Sequence, residues 1–181
     1  VGENLVAHPA IMLWMTPVPG GSQQAQLAHQ IMARAASNPA QMPDLNLFAL
    51  SNFDTRTVPM LSQLLKTPLA NAISVVLTHP ASRGRVFLEN AAPGGKPVIE
   101  LNLASAPQDI ERLMHGVRLA WKIARSSPIA ERTQSIFLWS EAMMSNDSLL
   151  KSAINRFISA TWHPVGTAKM GPSSDPMAVV D

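Results

Sequence analysis

The amino-acid sequence predicts an α+β domain in which an antiparallel β-sheet of about five or six strands is packed with helices. Short apolar segments of strand length come first in the chain, and amphipathic segments at helical spacing are interspersed among them. No regular alternation of strand and helix appears, and this favours an antiparallel sheet. The 181 residues suit one domain with a substantial core.

The predicted strands are apolar runs that end at turn residues. The first contains the run Ala10–Met15 and ends in a cluster of proline and glycine at residues 17–21. The third is rich in β-branched residues, which favour strands. A turn over residues 92–95 joins the fourth strand to the fifth. The five predicted strands cover residues 8–18, 45–50, 72–78, 85–89 and 98–103.

Two helical patterns precede the third strand. Ser22 is a candidate N-cap for a helix over residues 22–36, with apolar residues recurring at helical spacing, and the pair Asn38–Pro39 ends that helix. Residues 58–65 predict a short helix or an irregular lid.

The clearest helical pattern lies in the second half of the chain. Apolar residues mark one face over residues 105–124, with Pro107 in the first turn. Ser105 and Gln108 have the spacing of a capping box. A final helix is predicted over residues 147–158.

Composition excludes several function classes. Hydrophobic residues make up 46% of the chain and charged residues 14%, which argues against disorder. A net charge of +2 provides no phosphate-binding patch, so we expect no nucleic-acid partner. No apolar run approaches the ~20 residues of a membrane span. No two histidines have convincing metal-ligand spacing with acidic residues, so we predict no metal site.

The most informative segment is Thr161–Gly171, because it places one histidine in a restrained setting. Pro164 fixes its own φ and favours an extended conformation at His163, and Gly166 permits a turn or a close backbone approach. An imidazole titrates near neutral pH and can act as a base. Taken alone, a histidine in such a chain is more often structural than catalytic.

Three segments, in the same order along the chain, resemble the glucose-methanol-choline (GMC) family of flavin oxidoreductases. The N-terminal segment Val1–Pro9 is similar to the family's entry into the substrate domain, except that Ala7 stands where an acidic or polar residue is usual. The other two are a strand–turn–strand–helix run and an end motif. They comprise residues 82–88 with 97–102 and Asp109, and residues 163–167 with 170–171 and 178–181.

The resemblance implies that residues 1–181 are the substrate-binding domain of a two-part flavoenzyme. It implies that the FAD-binding domain, of Rossmann type, and a final segment with a second active-site histidine or asparagine lie outside this sequence. No Gly-x-Gly-x-x-Gly follows a predicted strand, so we expect the chain alone not to bind FAD. We also expect the chain alone to be inactive, and its uncovered apolar face to favour self-association.

The resemblance also implies roles for particular residues. His163 would accept the hydroxyl proton of a small neutral alcohol, while a hydride passes to the flavin N5. Residues expected against the flavin ring are Asn4, Leu5, Val165, Gly166 and Thr167. Residues expected in the substrate pocket are Trp162, Trp14, Phe48 and Trp139.

Two other functions stay open at this point. The first is a stand-alone small-molecule binding module that uses the fold without flavin. The second is a non-redox lyase of the same family, in which the same histidine would serve as the base. The sequence does not separate an oxidase from a dehydrogenase, and it does not name the alcohol.

Overall fold

The structure is a computed structural model that describes residues 1–24 and 26–180, with the side chain of Gln30 left out. Its centre is a six-stranded antiparallel sheet in the order β2-β3-β4-β1-β7, in which β8 also pairs with β1. The strands are β1 (Pro9–Pro17), β2 (His29–Ala35), β3 (Leu45–Asp54), β4 (Leu69–Leu77), β7 (Thr133–Ile136) and β8 (Ser159–Ala160). A separate hairpin is formed by β5 (Arg85–Phe87) and β6 (Val98–Glu100).

Five α-helices are seen in the described part of the chain. The longest, α2, spans 18 residues. Their bounds are α1 (Pro59–Leu65), α2 (Pro107–Ala124), α3 (Ser127–Ala130), α4 (Glu141–Ser145) and α5 (Asp147–Phe157), with a 3₁₀ turn at Thr55–Thr57.

One face of the main sheet carries the core. Ile11, Val75 and Leu47 are cross-strand neighbours on β1, β4 and β3, and their side chains are buried against α2 and α5. Gly116 lets α2 approach the sheet closely, because a Cβ there would lie 2.5 Å from Val75 Cγ1. Burial of this face supplies the main hydrophobic stabilisation of the domain.

The opposite face, which we call the open face, is covered by helix only at one end. Met12, Ser74, Phe48 and Met32 are in register across four strands on this face. At its covered end, Leu61 and Leu65 of α1 form a small cluster with Trp14, Phe53 and Phe137. The open face therefore carries apolar side chains that are only partly covered within the described residues.

The α+β class and the antiparallel sheet are confirmed, and so are most predicted elements. The structure has strands within or overlapping all five predicted strand segments, a helix at 59–65 and long helices at 107–124 and 147–157. The strands β7 and β8 and the short helices α3 and α4 were not predicted from the sequence. β7 and β8 share the outer edge of β1, and each is short.

The predicted helix over residues 22–36 is wrong, because residues 29–35 form strand β2 and pair with β3. Non-local pairing overrides a local helical pattern here. Ala25, which fell inside that prediction, lies outside the described residues. The capping box of α2 is also wrong. Its N-cap is Ala106, which has no side-chain acceptor for a backbone N–H of the first turn, and the Ala106 N–H donates to Ser82 Oγ.

Candidate active site

The candidate site is an arch of three residues, 162–164, that we call the histidine arch. Both of its ends are bonded to the segment that leads into β1. Val165 exchanges two backbone hydrogen bonds with Val6, at 2.8 and 2.9 Å, and Thr161 N–H donates to His8 O at 3.3 Å. Three residues thus stand opposite the single Ala7, so the arch must bulge outward. His163 is accordingly exposed.

The backbone of the arch is unusual at Trp162, which has φ +62°. A left-handed conformation at a bulky residue is uncommon and is often found at functional sites. The indole of Trp162 is 85% exposed and packs into no core. Because Pro164 limits the other side of His163, the imidazole stands between two conformational restraints.

A second histidine contacts the first. The rings of His8 and His163 lie edge to face, with centroids 4.9 Å apart and an interplanar angle of 80°. Partial burial lowers the pKa of His8 below its ordinary value, and the positive charges of His163 and His79 lower it further, against a hydrogen bond to the Thr78 backbone. His8 therefore favours its neutral form beside His163.

The third part of the site is a hydrogen-bonded bridge from Arg83 through Asn4 to Gly166, which we call the latch. Asn4 donates from Nδ2 to the Gly166 carbonyl at 3.2 Å, and its Oδ1 accepts from Arg83 Nε at 3.1 Å. Gly166 has φ +94°, and a Cβ there would lie 2.5 Å from Asn4 O, so only glycine fits without strain. Gly2 N–H donates to Thr167 O at 3.0 Å and extends the pairing.

The structure brings the five residues expected at the flavin ring together, but they face different ways. Val165 is 62% exposed beside His163, and Gly166 and Thr167 are half-buried. Leu5 is buried, and the side-chain amide of Asn4 is hydrogen-bonded on both sides, to the Gly166 carbonyl and to Arg83. Leu5 and Asn4 thus lie behind the exposed surface that Val165 presents.

The expected pocket residues are divided between two faces. Trp14 and Phe48 lie on the open face, where Trp14 packs against Phe53 with ring centroids 5.3 Å apart. Trp139 does not share that face. Its indole is buried in the core, and Nε1 donates to Met12 O at the outer edge of β1. We therefore leave Trp139 out of the pocket.

Two residues of the site have roles that the sequence did not predict. Arg83 donates to Asn4 and also to the carbonyls of Pro80 and Ser82. The contact of His8 with His163 joins positions 155 residues apart, which no local pattern signals. The local feature that the two histidines share is a proline directly after each.

Two features are absent from the described residues, a metal-binding group and a helix that could span a membrane. In residues 1–24 and 26–180, no group of three histidine or acidic side chains is placed to hold a metal ion. Nor does any described helix have the length and apolar character needed to cross a bilayer. The imidazole of His163 is exposed beside the exposed side chains of Trp162 and Val165, and an imidazole in such a position can act as a base.

The fold and this site define a class of domain, a half-covered antiparallel sheet with an exposed histidine at its edge. A family model described as GMC oxidoreductase matches residues 80–181, which is more than half of the chain. The chain therefore belongs to the GMC oxidoreductase family.

Similar proteins carry related names. The chain is 35% identical over 100 residues to an oxygen-dependent choline dehydrogenase of Rhizobium etli, covering 55% of this chain and 18% of that protein. It is 33% identical over 102 residues to an alcohol dehydrogenase [acceptor] of Pseudomonas putida, covering 56% and 18%. It is 30% identical over 145 residues to an uncharacterized GMC-type oxidoreductase of Mycobacterium tuberculosis, covering 78% and 26%. The chain thus spans about a fifth to a quarter of these relatives.

Solved structures share the fold. A pyridoxine 4-oxidase from Mesorbium loti superposes with a TM-score of 0.75 at 21% identity, covering all of this chain and 35% of the other. A formate oxidase variant from Aspergillus oryzae gives a TM-score of 0.77 at 19% identity, covering 93% and 37%. At these identities the likeness concerns the fold alone.

Proposed function

We propose that this chain supplies the substrate-binding part and the catalytic base of an FAD-dependent oxidoreductase that acts on the CH–OH group of a small neutral alcohol. The observation that carries the proposal is the exposed His163, held on an arch whose two ends are bonded to residues 6–8. The names of the choline and alcohol dehydrogenases among the relatives support an alcohol donor.

His163 takes the proton in the proposed reaction. A ring nitrogen of neutral His163 accepts the hydroxyl proton, and the alcohol oxygen keeps the electron pair of the broken O–H bond. FAD, when bound, would accept the hydride from the carbon that carries this oxygen, so the alcohol would become a carbonyl compound while His163 keeps the proton. The arch fixes the position of the imidazole, which favours proton transfer over a short distance.

His8 supports this step through its charge state. Two adjacent imidazoles do not easily carry positive charge together, because like charges at short range repel. The lowered pKa of His8 keeps that ring neutral near neutral pH. His163 can then accept a proton without a charged neighbour 4.9 Å away.

The residues that would meet the flavin ring are those exposed beside the base. Val165 offers an apolar side chain, while Gly166 and Thr167 offer backbone, with Asn4 and Leu5 supporting them from behind. This surface fits one edge of a planar ring and provides nothing for the phosphates, since the sequence has no Gly-x-Gly-x-x-Gly. We propose that an FAD-binding domain of the same full-length enzyme holds them.

The alcohol is proposed to lie over the open face of the sheet. His8 lies just before β1, at an even-numbered position like Met12 and Trp14, so its side chain is on the same side of the strand as theirs. The histidine pair therefore borders the open face. Phe48 adds a further apolar side chain in register with Met12 through Ser74. Apolar side chains on this face favour a neutral substrate over a charged one.

The test uses the full-length flavoenzyme that contains this chain. We expect His163→Ala to lower kcat by at least ~10²-fold, the usual scale for a lost acid–base group, with FAD content unchanged. His115→Ala is the matched control, because His115 is also exposed but lies on helix α2, outside the histidine arch. Turnover by His163→Ala equal to that of the control would refute the assignment.

Two further measurements separate the alternatives. Anaerobic mixing of the full-length enzyme with alcohols should bleach the flavin absorbance, whereas a lyase would leave the flavin oxidised. The 181-residue chain alone, mixed with FAD and desalted, should retain no visible flavin band and show no activity. A stoichiometric band would contradict the division of roles between the two domains.

A further inference from the structure

We propose that Asn4 is a positioning residue for His163. Its side-chain amide bridges Arg83 and the Gly166 carbonyl, and in this way it holds one end of the histidine arch in place. The two hydrogen bonds, at 3.1 and 3.2 Å, join three segments that are remote in sequence. The catalytic meaning of this latch rests on the proposed function of His163, but the latch itself does not.

Asparagine is suited to this position for two reasons. Its amide offers a donor on one side and an acceptor on the other, and here Nδ2 donates to a carbonyl while Oδ1 accepts from a guanidinium. Its backbone has φ +62°, a conformation that asparagine adopts more readily than most residues. Aspartate would keep the acceptor but would set a carboxylate oxygen against the Gly166 carbonyl.

Arg83 holds the latch because its guanidinium is fixed to the backbone. Nη1 donates to Pro80 O at 2.7 Å and to Ser82 O at 2.9 Å, which leaves Nε directed at Asn4. Ser82 is buried and bonded to Asp109 in the first turn of α2. The latch is therefore connected to the start of the longest helix of the domain.

On its Gly166 side the arch is held by the backbone pairing of Val165 with Val6 and by the latch together. Val165 is bonded to Val6, but Gly166 has a left-handed backbone and its carbonyl receives the Asn4 amide. A shift of the arch moves His163 relative to any bound alcohol. Displacement of a reacting group by about 1 Å can cost ~10²-fold in rate.

The experiment uses three variants and one matched control. Asn4→Gly keeps the left-handed backbone and removes both side-chain bonds, whereas Asn4→Asp keeps the bond to Arg83 alone. Arg83→Met removes the support of the amide. Arg85→Met is the control, because Arg85 is two residues from Arg83 along the chain, is also exposed, and pairs with Glu100 instead of Asn4.

Two readouts distinguish the latch from the proposed function. The first is the signal of His163 in the 181-residue chain with ¹³C-labelled imidazoles, assigned by its loss in His163→Asn and followed through a pH titration. The second is kcat, KM and the pH profile of the full-length enzyme. We expect all three variants to shift or split the His163 signal and to lower kcat by about 10-fold or more with KM within about twofold. Arg85→Met should match the wild type in both.

Each other outcome overturns part or all of the proposal. An unchanged His163 signal in Asn4→Gly and Arg83→Met overturns the latch. A shifted signal with wild-type kcat overturns its role in positioning. If Asn4→Gly does not fold, Arg83→Met decides alone, because its side chain is exposed at the surface. If His163→Ala keeps full turnover, the proposed function fails, while the imidazole signal still tests the latch.

Discussion

Asp109 offers the sharpest test of what holds the domain together. Its carboxylate is fully buried, and it accepts hydrogen bonds from Ala81 N–H at 2.9 Å, Ser82 N–H at 2.8 Å and Ser82 Oγ at 2.6 Å. Ser82 Oγ in turn accepts from the N-cap residue Ala106. The nearest cation is Arg112, with 4.0 Å between Nη1 and Oδ1. The carboxylate thus joins α2 to the loop that carries Arg83.

The expected cost of removing this carboxylate follows from the donors left behind. A buried donor without a partner costs about 1–3 kcal/mol. The Ser82 N–H is buried, whereas water can reach the Ala81 N–H more easily. We therefore expect Asp109→Ala to lower the free energy of unfolding by about 2–4 kcal/mol. Asp109→Asn can keep its oxygen toward Ser82 and should cost less, about 1–2 kcal/mol.

The assay is urea denaturation of the 181-residue chain, followed by tryptophan fluorescence. Asp147→Asn is the matched control, since Asp147 also lies in the first turn of a helix but is 80% exposed and paired with Arg118. An exposed pair of this kind contributes little, so the control should stay within about 0.5 kcal/mol of the wild type. A loss below about 1 kcal/mol for Asp109→Ala, with an unchanged denaturant dependence, would refute the reasoning.

Two further predictions concern the arch. The pKa of His8 is lowered in the folded chain from its ordinary 6.5, so His8 binds a proton more readily in the unfolded chain. The wild type should therefore lose stability as pH falls below 6.5. His8→Gln should reduce that loss between pH 7.5 and 5.5, and an identical pH dependence would contradict the assignment. Trp162→Ala should change the free energy of unfolding by less than about 0.5 kcal/mol, because the indole is 85% exposed. Trp139→Ala, in the core, should cost about 3–5 kcal/mol, and equal losses in the two would show that Trp162 is buried.

The sequence predicts those parts of the fold whose pattern is local. The face of α2 repeats at helical spacing, and β1 and β4 are long apolar runs, so these elements are found nearly within their predicted bounds. In β2, apolar residues spaced as on a helix also suit an edge strand, and pairing with β3 decides between the two. β8 has two residues and exists through its pairing with Pro9 and Ala10.

The candidate site is predictable only in part, for the same reason. The setting of His163 between a threonine–tryptophan pair and Pro164–Val165–Gly166 is a local signal, and it identifies the arch. The contacts that shape the arch are non-local, since Asn4 and Gly166 are 162 residues apart and Asn4 and Arg83 are 79 apart. Trp139 was expected in the pocket but lies in the core. Aromatic residues occur in both places, so the residue type alone does not separate them.

The geometry of β1 explains why His163 and the open face lie together. Its outer edge pairs with β8 at Pro9 and Ala10, so the chains that continue from this pairing carry His8 on one side and Thr161 on the other. The alternation of β1 then directs His8 toward the face that carries Met12. One strand pairing thus sets both the position of the histidine arch and the face that it borders. A domain built this way can vary the open face without moving His163, because the bonds that hold His163 are made by backbone and by Asn4 instead of by the side chains of that face.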